Sequence, residues 1–162
     1  YKNAKYYRRQ VYRGKRLMKI IAQRGLLVGP DPKAENQLDT IDEALSYGFD
    51  VEVDVRLIGG ELIIGHDDAT HTCPSWLYDD SRVWFHAKDT DSLVYLNKRG
   101  KRVFYHTDED VVMTSKGELW ALPGKGFAGS YIVLPERYGD IVPDGALGIC
   151  TDYPIKFKEL YK

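Results

Sequence analysis

Residues 51–56 place a valine at every second position with charged side chains between them, and this period of two predicts a β-strand over residues 49–58. The alternation constrains the fold more than any other segment, because one face of the strand is apolar and the other is charged. The pair Gly59-Gly60 predicts a tight turn, and residues 61–64 supply a returning strand. We therefore expect a β-hairpin whose first strand carries charges on one face.

The rest of the chain predicts strands that alternate with helices. Apolar residues from Leu38 to Leu45 recur at helical spacing, and Gly48 follows where a helix C-terminus belongs. Further expected elements are strands at 19–22, 83–85, 102–105, 131–134 and 146–150, a helix at 91–98, a second hairpin within 111–122, and a polar tail ending at Lys162. This order is typical of a largely parallel α/β sheet or barrel, where functional residues gather at the carboxyl ends of the strands.

Glu52 and Asp54 lie two positions apart, so both carboxylates project from the same face of the predicted strand. Two like charges inside a sheet or barrel are costly unless a cation or several hydrogen-bond donors compensate them. A hard divalent ion such as Mg²⁺ or Ca²⁺ suits carboxylate oxygens. From these two residues alone, an edge strand with its charged face in solvent and Arg56 as a neighbour is equally compatible.

Several short motifs occur in the order of a known family. They are Gln23-Arg24-Gly25, Glu35-Asn36, Glu52-Val-Asp-Val-Arg56, Gly60-Glu-Leu-Ile-Ile-Gly-His-Asp67, Phe85-His-Ala-Lys88 and Gly148-Ile-Cys-Thr-Asp-Tyr-Pro154. In this order and spacing the chain resembles the glycerophosphodiester phosphodiesterase family, which belongs to the phospholipase C-like TIM-barrel phosphodiesterases. The resemblance covers about half of the chain. It implies a (β/α) barrel and a metal-dependent phosphoric diester hydrolase.

The resemblance also implies roles for the matching residues. Glu52 and Asp54 would bind the divalent metal ion, and the guanidinium of Arg24 would contact two phosphate oxygens. His66 would act as general acid or base in catalysis. Lys88 would bind the substrate and stabilise charge that grows on the phosphoryl group in the transition state.

Three features depart from the family's pattern. Gln23 stands in the catalytic site where the family has its first histidine, and an amide can bind a phosphate oxygen but cannot transfer a proton. His86 replaces a carboxylate metal ligand, which extends the expected metals to Mn²⁺ and Zn²⁺. With 162 residues the chain is shorter than the roughly 200–250 residues of a full barrel, so we expect a truncated or incomplete barrel.

Three further residues lie near the predicted site. His106 ends a predicted strand and is a candidate for substrate binding, although a loop histidine without a role is an almost equal alternative. Glu35 would line the same mouth, or would only place a carboxylate at a helix start. His71 follows the His66 strand, and for it an exposed residue without a role is the favoured interpretation.

These patterns leave three functional hypotheses. The leading one is hydrolysis of a small or lipid-derived phosphodiester, which places the chain in lipid metabolism. The second is a catalytically degenerate barrel that binds a phosphorylated ligand, and Gln23 is its strongest support. The third is a structural or partner-binding module.

Residues 1–18 form a predicted basic arm ahead of a domain over residues 19–162. Residues 1–19 contain eight lysines and arginines, no acidic residue and several tyrosines. Such an arm could contact nucleic acid, an anionic membrane or another subunit, or it could be a solvated segment that leads into the domain. Open strand edges in an incomplete barrel would also favour a homo-oligomer.

Two expectations concern the environment of the chain. No apolar run approaches the roughly 18 residues of a membrane span, so no transmembrane segment is expected. Cys73 and Cys150 lack CxxC spacing and are expected to be reduced thiols rather than a disulfide, which favours a reducing, cytoplasmic compartment.

Overall fold

The computed structural model describes residues 18–68 and 71–161. Apart from Met18, the predicted basic arm lies outside these residues. The described part of the chain contains, in order, β1 (Lys19–Gln23), α1 (Leu38–Ser46), β2 (Asp50–Ile58), β3 (Glu61–Ile64), β4 (His71–Thr72), α2 (Ser75–Tyr78), β5 (Val83–Ala87), α3 (Thr90–Lys98), β6 (Val103–Phe104), β7 (Val111–Met113), β8 (Leu119–Ala121), β9 (Ser130–Val133), β10 (Gly148–Thr151) and α4 (Pro154–Leu160). A 3-10 helix, Pro135–Tyr138, lies between β9 and β10.

Seven strands run parallel in the spatial order β6, β5, β2, β1, β10, β9, β8. β3 returns antiparallel along the second half of β2 and pairs with β4, and β7 pairs antiparallel with β8. The predicted mixed α/β fold with a largely parallel sheet is confirmed. Both predicted hairpins are present as well.

The hairpin between β2 and β3 turns at two glycines. Gly59 and Gly60 have φ angles of 59° and 86°. A two-residue type I′ turn needs positive φ at both central positions, which side chains with a Cβ disfavour. The glycine pair therefore explains why the sequence predicts this turn correctly.

The sheet is curled, and aromatic side chains from strands at its two ends meet on the inner face. The ring of Trp84 on β5 lies 5.4 Å from that of Trp120 on β8 and 4.7 Å from that of Tyr131 on β9, measured between centroids. Phe104 on β6 lies 4.6 Å from Trp120. Because β6 and β8 end the parallel order on opposite sides, these contacts bring the two sides of the sheet together around an aromatic core.

The turn between β7 and β8 covers the free edge of β6. The backbone N–H of Ser115 donates to the carbonyl oxygen of Val103 at 2.8 Å, and Ser115 Oγ accepts from the Val103 N–H at 3.0 Å. The same hydroxyl donates to the carbonyl oxygen of Lys101 at 2.7 Å. Arg102 and Glu118 form an ion pair of 2.9 Å at this junction. Ser115 thus supplies hydrogen bonds that a neighbouring strand would otherwise supply.

Helices cover the outer face of the sheet. Three valines of β2 are fully buried there, in one cluster with Ile41 of α1 and Leu96 of α3. The alternation along β2 therefore separates an apolar outer face from an inner face that carries Glu52 and Asp54. The sequence was also compatible with an edge strand whose charged face lies in solvent. That alternative is excluded, because both carboxylates are buried.

The prediction of a polar tail at the C-terminus is wrong, because residues 154–160 form α4. Phe157 is fully buried and packs with Ile132 of β9 and Ile149 of β10. Pro154 occupies the first turn, where its missing N–H is tolerated. With lysines and a glutamate among its seven residues, the segment shows too little periodicity to predict a helix, and the burial of one aromatic ring anchors it.

Two expectations about the environment can be compared with the fold. None of the described helices is both long and apolar enough to cross a bilayer. Cys73 and Cys150 are both free thiols, as expected from their spacing.

Candidate metal and phosphate site

The predicted site residues meet at the carboxyl ends of the parallel strands, around a cavity of about 300 Å³. Its wall includes Gln23, Arg24, Glu35, Glu52, His66, His86, Lys88 and His106. Asp54 is fully buried beside this wall. Apolar residues of β6, β8 and β9 complete the lining. The fold thus brings into one place the residues that the sequence predicts for metal binding, phosphate binding and proton transfer.

Glu52, Asp54 and His86 form a buried cluster on the inner face of β2 and β5. The parallel register places Asp54 beside His86. His86 Nδ1 lies 2.9 Å from Asp54 Oδ1 and 3.2 Å from Glu52 Oε1. All three side chains are less than a tenth exposed, and one ligand atom from each lies within 4.8 Å of the others.

The cluster fits a divalent cation. Apart from their contacts with His86 Nδ1, Glu52 Oε1 and Asp54 Oδ1 have no hydrogen-bond partner among the described residues. Neighbouring ligands of a six-coordinate ion at about 2.1 Å lie about 3 Å apart, close to the separations from His86 Nδ1 to the two carboxylates. Two carboxylates and an imidazole accept several divalent ions, so the cluster could hold a metal without specifying which one.

Cations of the protein itself also compensate the carboxylates. Burial acts to raise the pKa of Asp54, but the adjacent His86 and Arg24 outweigh it and hold that pKa below its usual range. Burial acts to lower the pKa of His86, whereas the contacts with Asp54 and Glu52 outweigh it and raise that pKa. A proton on His86 and a metal ion are therefore alternative ways of balancing the same two charges.

Asn36 fixes the position of Asp54. Its Nδ2 donates to Asp54 Oδ2 at 2.9 Å, and its Oδ1 accepts from the backbone N–H of Asp54 at 3.1 Å. Asn36 has a left-handed backbone with φ of 59°, a conformation that asparagine adopts more readily than most residues. Because Asn36 is itself buried, it supports the carboxylate from a constrained position.

Arg24 lines the cavity, but acidic partners already engage most of its guanidinium. Nη1 donates to Glu35 Oε2 at 2.9 Å, and Nε lies 2.9 Å from Asp54 Oδ2. The backbone N–H of Arg24 donates to Glu52 Oε2 at 3.2 Å. Burial acts to lower the pKa of Arg24, but these acids raise it overall, so the group stays charged. Within the described chain Nη2 has no partner, and it is the nitrogen that can meet a phosphate oxygen.

Arg56 joins the two loops that present His66 and Lys88. Its Nη2 donates to the carbonyl oxygen of His66 at 2.7 Å, and its Nη1 donates to that of Lys88 at 3.2 Å. His66 Nδ1 lies 2.9 Å from Asp67 Oδ1, and Lys88 Nζ lies 3.9 Å from Asp54 Oδ1. A neutral His66 that donates from Nδ1 to Asp67 would have Nε2 free to accept a proton.

Gln23 and His106 lie on the same cavity wall with different surroundings. Gln23 Oε1 accepts from the buried thiol of Cys150 at 2.9 Å. The ring of His106 stacks on that of His86 with centroids 4.5 Å apart, and its Nδ1 is buried without a hydrogen-bond partner among the described residues. Burial lowers the pKa of His106, and the positive charges of His86 and Lys88 lower it further. His106 is therefore placed to meet a ligand as a neutral ring.

Sequence reasoning did not single out Asn36, Arg56 and Asp152 as site residues. All three lie inside motifs quoted above, and no spacing rule shows what their side chains contact. Asp152 follows β10, lines the cavity and is only 5% exposed. Burial, together with Glu136, raises the pKa of Asp152 to about 6. A carboxyl of this kind can be found only once the strand order is known.

The chain matches no protein-family model, and neither the curated proteins nor the solved structures that were compared with it give a match. Its resemblance to glycerophosphodiester phosphodiesterases therefore rests on the motifs themselves.

Proposed function

We propose that the protein is a metal-dependent phosphodiesterase that acts on a small or lipid-derived glycerophosphodiester-type substrate. The observation that supports this most directly is the buried cluster of Glu52, Asp54 and His86, which could hold a metal ion beside a cavity lined by Arg24 and Lys88. Buried carboxylates and cationic side chains that lie beside the same cavity are typical of sites that hold a metal ion and a phosphate.

The side chains divide the reaction between them. A divalent ion held by the cluster would polarise a phosphoryl oxygen. Arg24 Nη2 and Lys88 Nζ bind the remaining phosphoryl oxygens and stabilise the negative charge that grows there. His66, oriented by Asp67, accepts a proton of the attacking water. The cavity of about 300 Å³ lies at the small end of ligand sites, which suits a headgroup better than a whole lipid.

We interpret the curled sheet as a shortened TIM-like (β/α) barrel. Its seven parallel strands and the position of the cavity at their carboxyl ends support this interpretation. Between α3 and α4 the only helical element of the described chain is one 3-10 helix, so fewer helices cover that side of the sheet.

Binding without turnover is a second candidate, and Gln23 is the observation that favours it. The amide lines the cavity at the end of β1, but it cannot carry a proton. In this alternative the same cations and metal ligands hold a phosphorylated molecule, and hydrolysis does not follow.

Turnover of bis(4-nitrophenyl) phosphate with Mg²⁺, Ca²⁺, Mn²⁺ or Zn²⁺ tests the proposal. We expect hydrolysis that needs one of these ions and falls at least about 100-fold in Glu52→Gln and His66→Ala. His71→Ala is the matched control, because His71 lies outside the cavity and its Nε2 is 2.9 Å from Gln37 Oε1. An inert parent with every metal contradicts the proposal, and recovery of turnover in Gln23→His would then support the binding alternative.

A further inference from the structure

Asp152 differs from the other carboxylates on the cavity wall because no described residue bonds its side chain. Glu35 is paired with Arg24, and Glu52 belongs to the metal cluster. The backbone N–H of Asp152 donates to Glu136 Oε1 at 2.8 Å, which fixes the main chain but leaves the carboxyl group unengaged. At 5% exposure this group faces the cavity rather than bulk water.

The strand order places Asp152 close to the rest of the site. β10 lies beside β1 with Thr151 paired to Ala22, so the next residues along the two strands are Asp152 and Gln23. Both line the cavity. Asp152 therefore stands next to the position where an amide occupies the end of β1.

Phosphodiester cleavage needs two proton transfers. The attacking water loses a proton as the new P–O bond forms, and the leaving oxygen gains one as the old P–O bond breaks. In the proposed function His66 performs the first transfer. Among the other titratable groups on the wall, Glu52 and His86 would hold the metal ion, and Glu35 is paired with a guanidinium. Burial and the charges of His86 and Lys88 lower the pKa of His106, so this ring is neutral and has no acidic proton to give.

Resting on that proposed function, we propose that Asp152 is a catalytic residue whose protonated carboxyl donates its proton to the leaving alcohol oxygen. The carboxyl becomes a carboxylate, the P–O bond to the leaving group breaks, and the alcohol departs neutral. His66 gains a proton of the attacking water, whose oxygen stays on the phosphorus, in the same turnover. His66 then releases one proton to solvent and Asp152 takes one up, so water is the only co-reactant consumed.

The surroundings of Asp152 favour its protonated form. Burial raises its pKa to about 6, and the nearby carboxylates of Glu136 and Glu52 also act in that direction. Arg137 and Arg24 oppose this shift with a smaller effect than burial and Glu136. A group with a pKa near neutrality is protonated often enough to act as an acid and ionises readily enough to give up its proton.

The leaving group provides the test. A 4-nitrophenol leaving group departs without a proton, whereas an ethanol leaving group needs one. We expect Asp152→Asn to lower turnover of glycerol 3-(ethyl phosphate) at least about 100-fold and turnover of glycerol 3-(4-nitrophenyl phosphate) less than about threefold. Asp144→Asn, an exposed aspartate in the preceding loop, is the matched control and should alter neither rate.

The outcomes distinguish the role of Asp152 from the proposed phosphodiesterase function. An equal loss with both esters, or no loss with either, overturns the assignment of Asp152 and leaves the proposed function intact. Turnover of neither ester by the metal-loaded parent overturns both. Independently of turnover, the ¹³C carboxyl resonance that disappears in Asp152→Asn should titrate near pH 6 in the parent protein, and a midpoint near 4 would also overturn the assignment.

Discussion

Single residues decide how well the metal cluster is held. Asp54 forms two hydrogen bonds of about 3 Å with the side chain of Asn36, one accepted by its carboxylate and one donated by its backbone N–H, and Asn36 has a left-handed backbone. A ligand supported in this way keeps its orientation when its charge is balanced by either a proton or a metal ion. The support can be tested separately from the backbone conformation, because glycine tolerates the same φ and alanine does not.

We expect Asn36→Ala and Asn36→Gly to weaken metal binding by about 10- to 100-fold, since both remove the support of a metal ligand. Asn36→Ala should also unfold more easily than Asn36→Gly, by about 1 kcal/mol, because alanine disfavours positive φ. Titration calorimetry with Mn²⁺ and urea unfolding measure the two effects. Unchanged metal affinity in both variants would contradict the supporting role.

Because the pKa of Asp152 is raised in the folded state, we expect the free energy of unfolding to depend on pH. Its folded pKa of about 6 lies above its ordinary value, so the folded state binds the proton more tightly and loses stability as pH rises from about 4 to 6. Asp152→Asn removes the free-energy cost of a buried, ionised carboxyl and should stabilise the protein by about 1–2 kcal/mol at pH 8. This value is smaller than the full pKa shift would give, because solvent in the open cavity screens the charge. Urea unfolding in EDTA at pH 4.5 should show a smaller gain. A gain that does not change with pH would contradict the shift.

Elements with a clear period were predictable from the sequence. β2, its glycine turn and α1 all lie within about two residues of their predicted bounds, because period two and period 3.6 are local properties. β4 and α2 span two and four residues and carry no detectable period. Site residues at strand ends were predictable as well, because the strands themselves could be located from local periodicity. The hydrogen bond between Gln23 and Cys150 could not be predicted, because it depends on β10 lying beside β1, at a sequence separation of 127 residues.

The loops after β3 and β5 depend on one guanidinium, that of Arg56. Arg56→Lys replaces a rigid fork with a single ammonium group, which can reach only one carbonyl at a time. We expect backbone amides of residues 65–68 to exchange with deuterium about tenfold faster, which corresponds to the loss of one charged hydrogen bond. Arg99→Lys is the matched control, since Arg99 donates to the carbonyl of Tyr95 on the surface. Equal exchange in parent and variant would show that Arg56 does not restrain the loop.

In the whole molecule, the curl of the sheet depends on contacts between its two ends. The ends meet through aromatic rings inside and through Ser115 at the edge of β6. Ser115 is thus a short replacement for the strand that would continue a larger sheet.

Ser115→Ala should lower the free energy of unfolding by about 1 kcal/mol, because the Val103 N–H and the Lys101 carbonyl lose their hydroxyl partner. Ser115→Thr keeps the hydroxyl and should stay within about 0.5 kcal/mol of the parent. Urea unfolding of the three proteins checks this. Equal losses in the two variants would mean that the shape of the turn, and not the hydroxyl, holds the two ends together.

The pair of indole rings on the inner face provides a spectroscopic signal for the folded state of the sheet. Trp84 and Trp120 lie 5.4 Å apart at an angle of 31°, close enough for their electronic transitions to couple. Near-ultraviolet circular dichroism should therefore carry a paired signal that disappears when the curl opens. Since Trp120 also lines the cavity, the same bands should shift when a ligand enters, so folding and occupancy can be followed optically in one unlabelled sample.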